Sequence, residues 1–355
     1  MMRLLLQILA ILSFGFSSRI PSPSTAIGSL PTPTPGMIFS GPNDIGEHNY
    51  SSSKGEGNGI IYTCRAGHID LGHVRSTADW TRYAYDWIYH ELLESSEDIP
   101  FKTTVDPSIF HLEIKYPDNW NSFSLDKKQD LAHLASVKIA QYIIFHAGNW
   151  HEILTWYGHR SLILFSEYTS AFSWEDGFSN MMGIYLVGNI LLNKEQDYDK
   201  AMTIAIQSEM ESFQMFSRRE SISITKTVKG KWYSGWVPGI MEKSDFPGTI
   251  KMLYRGFDIG EMDGVINPKV ISSVEDCTYK KHQGYMRPTL EEANQYGFTF
   301  MMEIEPKELI SRKILTIVHG SKSEKRMRIK PDIEIPIIMD KMKEESLERG
   351  YNYFE

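Results

Sequence analysis

The stretch from Leu125 to Tyr157 constrains this chain more than any other. Its apolar residues recur at helical spacing, and Gly158 closes it, so the spacing predicts one long helix. Near its end stands His151-Glu152, where a helix should be burying apolar side chains. At 100° per residue, Val137, Ala140, Ile144 and Ala147 fall within about 40° of His151, and Thr155 lies on the same side ahead. A histidine on that face must find a partner, because burying a polar group without a hydrogen bond costs roughly 1–3 kcal/mol. The pattern therefore points to a site.

Other elements follow from similar signals. Gly59 to Thr63 reads as a short strand and Asp70 to Leu93 as a helix stopped before Pro100. Phe110 to Tyr116 alternates like a half-exposed strand. Ser173-Trp174-Glu175-Asp176 resembles a capping box opening a helix to about Leu192; Gly177, Gly183 and Gly188 within it imply close packing against a neighbour. Tyr198 to Phe216 reads as a fourth helix. From Ser221 on, β-branched and aromatic runs such as Trp232-Tyr233, Trp236-Val237 and Ile314-Leu315-Ile317-Val318 are punctuated by Gly and Pro, with a helical tail from Ile337 to Arg349. The expected class is α+β, with a helical N-terminal half of about four long helices and a strand- and loop-rich C-terminal half. The division is residues 59–219 for the helical core and 220–355 for the strand-rich part, packed on the same domain.

Arg3 followed by the apolar run Leu4 to Phe16 and the small residues Gly15, Ser17 and Ser18 reads as a signal peptide over residues 1–18. The run is shorter than the roughly 20 residues that cross a bilayer. Residues 19–58 read as a Pro/Ser/Gly-rich linker. The expected location is periplasmic or secreted, with no transmembrane span after signal cleavage. A net charge of −8 argues against nucleic acid as a partner, since that binding needs a basic face. The two cysteines, Cys64 and Cys277, allow one long-range disulfide, two buried thiols, or a nucleophilic Cys64 working with His73.

Three constellations can carry chemistry. His151-Glu152 opens like a zinc-binding His-Glu-x-x-His helix, but Thr155 stands where the second histidine belongs. Asp70 and His73, three apart, share a helix face, which makes half a metal site or an oriented base. Asp70 as a helix cap and Arg75 paired with Asp79 are the structural alternatives. Glu167 lies in a polar loop after the long helix; Asp176 is read first as the capping-box acid, with Asn180 on its face. No phosphate-cradling loop, nucleophile elbow or dinucleotide fingerprint occurs.

The segments Tyr62-Thr63-Cys64-Arg65, Asp70-x-x-His73-Val74-Arg75, Ala78-Asp79-Trp80-Thr81, His151-Glu152-x-x-Thr155-Trp156-Tyr157-Gly158 and Ser170-Ala171-Phe172-Ser173 resemble a family of exported bacterial proteins catalogued as a domain of unknown function. The resemblance covers Gly59 to Leu192 and implies a bacterial envelope location. It brings no activity, and this chain lacks the lipobox cysteine of lipoprotein members. The leading expectation is a metal-dependent hydrolase acting on an envelope or extracellular substrate. His73, His151 and Glu167 are the expected ligands of a divalent metal such as zinc. Glu152 and Asp70 are the expected catalytic groups, and Arg75, Thr155 and Tyr157 the substrate contacts. The alternative is a non-catalytic periplasmic protein whose polar cluster is a packing network, with Trp232, Tyr233 and Trp236 binding a partner or glycan.

Overall fold

A computed structural model describes residues 21–23, 39–52, 54–158, 171, 174–194, 197–227, 285–323 and 325–348. Strands Ile60–Thr63 (β1) and Gly67–Asp70 (β2) pair antiparallel, Ile61 opposite Ile69 and Tyr62 opposite His68. The turn between them needs Gly67 at φ 67°, and the Thr63 hydroxyl closes it by accepting from Ala66 N–H and donating to the Gly67 carbonyl. Every residue of both strands is buried, so the pair shows no alternation to read in sequence.

β2 passes directly into helix Leu71–Leu93 (α1), capped by Asp70. Helix Leu125–Trp156 (α2), capped by Ser124, and helix Trp174–Leu192 (α3) pack against α1 and against each other. α3 runs alongside α1 in the same direction and opposite to α2. Along it, Ser179 meets Asp70 and Gly183 meets Val74 and Ala78, while Asn180 meets Gly148 and Gly188 meets Gln141. The approach is close. A Cβ on Gly183 would stand 2.3 Å from the Val74 carbonyl oxygen, and one on Gly188 would stand 2.2 Å from Gln141 Nε2. Those two glycines are there because the neighbours leave no room for a side chain.

Helices Tyr198–Ser212 (α4) and Arg218–Thr227 (α5) follow, then Leu290–Asn294 (α6), strand Thr299–Glu305 (β5), and helices Ser311–His319 (α7) and Pro331–Glu348 (α8). Strands Asp98–Phe101 (β3), Ile109–Lys115 (β4) and β5 form an antiparallel sheet in the order β3-β4-β5. β4 buries Phe110, Leu112 and Ile114 and turns His111, Glu113 and Lys115 outward. Tyr142 of α2 donates to Asp332 of α8 at 2.5 Å, and Arg287 pairs with the same carboxylate, which docks the C-terminal helix on the bundle. Burial opposes the Asp332 charge, yet His146, Tyr142 and Arg287 hold its carboxyl down to about 2.

This arrangement overturns the expected division into a helical half and a strand-rich half. The eight helices described are spread along the chain, with only α1 and α2 as long helices wholly inside the N-terminal half. Four of the five described strands lie before residue 120, and the described C-terminal residues are mostly helical. The segment around Ile314-Leu315-Ile317-Val318 forms α7, because Ile310, Ile314, Ile317 and Val318 are spaced for one helix face. β-Branched content misled there; tertiary packing overrides that preference. The run Trp232 to Val237 lies outside the described residues.

The polar stretch before Gly59 is docked by charge. His48 is buried, its Nε2 2.9 Å from Asp79 Oδ1 and its Nδ1 3.4 Å from Glu56 Oε1. Tyr198 of α4 donates to the same Asp79 oxygen at 2.9 Å. Arg75, fully buried, donates to the Ile45 carbonyl (2.7 Å), the Gly57 carbonyl (3.2 Å) and Asn58 Oδ1 (3.0 Å), with Glu56 3.7 Å from Nε. Two cations thus face the buried carboxylates of Asp79 and Glu56, with the partly exposed Asp199 3.9 Å from His48 Nε2. Burial pushes the His48 imidazole down, but its bonds to Asp79 and Glu56 outweigh that and raise it to about 9.

Two predictions follow from this packing. Gly183→Ala should lower stability by about 1–3 kcal/mol, read as a shifted urea midpoint at unchanged slope; an unshifted midpoint would mean the helices do not approach as described. Because the folded His48 pKa lies above its unfolded value of 6.5, its contribution is complete below pH 6.5 and is lost as pH rises through about 9. The difference between wild type and His48→Gln should therefore shrink by on the order of 3 kcal/mol between pH 6 and pH 10 in urea titrations. A difference that stays constant over that range rules out a charged His48.

Candidate functional site

The site grows out of the start of α1. Four N–H groups at a helix start have no partner within the helix, and Asp70 meets two of them. Its Oδ1 accepts from Gly72 N–H at 2.8 Å and His73 N–H at 3.2 Å. The Asp70 N–H donates to Ser179 Oγ of α3 at 2.9 Å, which fixes the first turns of α1 and α3 side by side. The second carboxylate oxygen, Oδ2, is then 3.0 Å from His73 Nδ1. From α3, Asp176 Oδ1 reaches the same nitrogen at 3.4 Å. One ligand-type atom of each of Asp70, His73 and Asp176 lies within 4.8 Å of the others. Both carboxylates are buried, while the His73 side chain is 25% exposed, so the cluster opens to solvent along the imidazole.

The next turn of each helix sets the register. Thr77 of α1 donates to Asn180 Oδ1 of α3 at 2.7 Å, and a Cβ on Gly148 of α2 would lie 3.5 Å from Asn180 Nδ2. Thr77, Gly148 and Asn180 therefore occupy one level. One turn from each, toward the start of α1 and α3 and the end of α2, come His73, Asp176 and Glu152. Glu152 thus stands level with the cluster and is half-exposed, although its carboxylate is not one of the atoms lying within 4.8 Å of one another.

His151 is held separately. Its Nδ1 is 3.1 Å from Oδ2 and 3.3 Å from Oδ1 of Asp106, a buried residue in the loop between β3 and β4. The adjoining Trp150 donates to Ser108 Oγ at 2.9 Å, and Ser108 donates through its N–H and hydroxyl to the buried carboxylate of Glu308. Among the described residues, no group of three ligand-type side chains includes His151. Thr155 is buried, and its hydroxyl has no hydrogen-bond partner among the described residues. The Tyr157 ring packs under the Lys313 ammonium, 4.4 Å from the ring centre.

The structure thus brings Asp70 and His73 together, adds Asp176, places Glu152 level with them, and pairs His151 elsewhere. Arg75 is not available to a substrate: it is fully buried and spent on the carbonyls of the docked loop. Glu167 lies outside the described residues, as do Trp232, Tyr233 and Trp236. Cys64 is disulfide-bonded, which removes the nucleophilic cysteine; the chain's other cysteine, Cys277, lies outside the described residues. Sequence reasoning gave Asp176 to a capping box and passed over Asp106. The turn of Asp106-Pro107-Ser108 shows no periodicity that would link it to a helix 45 residues away.

No curated protein and no solved structure shows significant similarity to the chain. One protein-family model does, over residues 41–261, a span that runs from the docked loop through α5 and includes Asp70, His73, Asp106, His151, Glu152 and Asp176. That match covers well over half of the 355 residues, and the chain belongs to the family described as protein of unknown function, DUF4056.

Proposed function

We propose that this is an exported protein of the bacterial envelope in which Asp70, His73 and Asp176 hold a divalent cation such as zinc, used to hydrolyse an envelope or extracellular substrate. The observation that carries the reading is the convergence of one imidazole and two buried carboxylates at the helix junction. Ligand atoms on a tetrahedral zinc with bonds of about 2.0–2.1 Å stand roughly 3.3 Å apart. The separations of 3.0 Å and 3.4 Å from His73 Nδ1 are of that size. A divalent cation there would lower the pKa of its water to about 7 and polarise a carbonyl or phosphoryl oxygen. Glu152, level with the cluster on α2, is the group that takes the proton of the attacking water.

Export is supported by Arg3, the apolar run Leu4 to Phe16 and the small residues after it. The disulfide at Cys64 suits an oxidising compartment. Among the described residues no helix is long and apolar enough to cross a membrane.

A second reading has its own support. Asp70 Oδ1 serves α1 as a cap, and its N–H binds Ser179, so the cluster also works as a network that fixes helix packing. Metal analysis by mass spectrometry separates the two. The hydrolase reading expects near one zinc per chain after zinc loading and dialysis, falling at least tenfold in His73→Ala and in Asp176→Asn. The network reading expects background zinc in the wild type, with both variants merely less stable.

A further inference from the structure

Polar residues continue along the helices beyond the cluster. Thr77 follows His73 by four residues on α1, and Asn180 follows Asp176 by four on α3. Each therefore stands one turn, ~5.4 Å, along its helix from a member of the cluster. Thr77 donates to Asn180 Oδ1 at 2.7 Å. That bond occupies one end of the carboxamide and turns the other, Nδ2, toward α2. Nδ2 there faces Gly148, four residues before Glu152. Apart from neighbours along α2, a Cβ on Gly148 would have Nδ2, at 3.5 Å, as its single contact within 4 Å among the described residues. The glycine thus leaves a notch between α2 and α3 with an amide donor on its wall. Nδ2 has no hydrogen-bond partner among the described residues and is not sealed from solvent. Thr77, Gly148 and Asn180 are all half-buried. A donor whose orientation is already fixed by a second hydrogen bond loses little freedom when it binds a ligand.

Resting on the hydrolase reading above, we propose that Asn180 is a specificity-determining residue, whose Nδ2 donates to a substrate oxygen about one helical turn, ~5.4 Å, from the bond to be cut. Thr77 is its positioning residue, and Gly148 leaves the room that the oxygen occupies. The substrate class this selects is an N-acylated amino acid or peptide. Such a chain offers one carbonyl to the cation and a second, a few bonds away, to the amide. A simple ester or amide has no second carbonyl and leaves the Asn180 donor unused.

The test needs no turnover. The full chain is loaded with zinc, and the dissociation constants of acetohydroxamate and N-acetylglycine hydroxamate are measured by calorimetry. Both probes bind zinc through the hydroxamate, and only the second carries a further carbonyl. The wild type should hold the second at least tenfold more tightly, a difference of about 1.4 kcal/mol. Asn180→Leu should abolish that preference while zinc content and the affinity for acetohydroxamate stay the same. Asn180→Asp keeps the size and the acceptor for Thr77 but removes the donor. It should lose the preference too, so a poorly folded Asn180→Leu does not hide the answer. Thr77→Val frees the amide to turn and should weaken the preference, whereas Thr77→Ser should keep it. A wild type that takes up zinc but binds the two probes alike overturns the role of Asn180 alone, as does a preference that survives in both Asn180 variants. A wild type that takes up no zinc and binds neither probe overturns the hydrolase reading itself, and the Asn180 role with it.

Discussion

Asp70 is the residue on which the rest of the arrangement depends. It ends β2, starts α1 and ties α1 to α3, all through one side chain and one N–H. A helix start leaves donors that must be met, and inside a protein they cannot be met by bulk water. While Oδ1 accepts from Gly72 and His73 N–H, Oδ2 lies 3.0 Å from Nδ1 of the His73 ring three residues on. The hydrogen bond to Ser179 then brings the first turn of α3, and Asp176 with it, to the same ring nitrogen, Nδ1, that Asp70 meets. The His73 environment is therefore a consequence of how the helix begins, and Gly183 of α3 lets the two backbones approach closely enough to sustain it.

α1 carries two charge clusters that do not mix. His73 and Arg75 are two residues apart, so they point to nearly opposite sides of the helix. Arg75 and Asp79, four apart, share the flank that meets the docked loop and α4, where they join His48 and Glu56 in one charge cluster, with Asp199 of α4 at its edge. A buried ion pair contributes little net stability over an apolar one, but losing one partner is expensive. That asymmetry is why Arg75 is fixed in a structural position and why the loop before β1 is held to the body.

Much of the helical layout was legible because long periodic segments leave little choice: α2 and α3 begin and end close to where caps, glycines and apolar spacing put them. The Asp70-x-x-His73 pair was legible for the same reason, since three residues is nearly one turn. What failed was information that is not local. β1 and β2 bury every residue and so show no alternation. β3 carries Pro100, which reads as a helix stop rather than as part of a strand. Arg75 has the charge expected of a substrate clamp, and only the fold shows that carbonyls of the loop consume its donors. Asp106 meets His151 across a loop, and Asp176 joins His73 from a different helix; neither contact has a sequence spacing to announce it.

The claim at the centre is that one histidine and two carboxylates from the α1–α3 junction hold a divalent cation. X-ray absorption spectroscopy at the zinc edge of the zinc-loaded protein tests it directly. The account predicts a shell of oxygen and nitrogen atoms at about 2.0–2.1 Å containing a single imidazole, with that imidazole signature gone in His73→Ala. A shell with two or more imidazoles, or a zinc environment unchanged by His73→Ala, would contradict it.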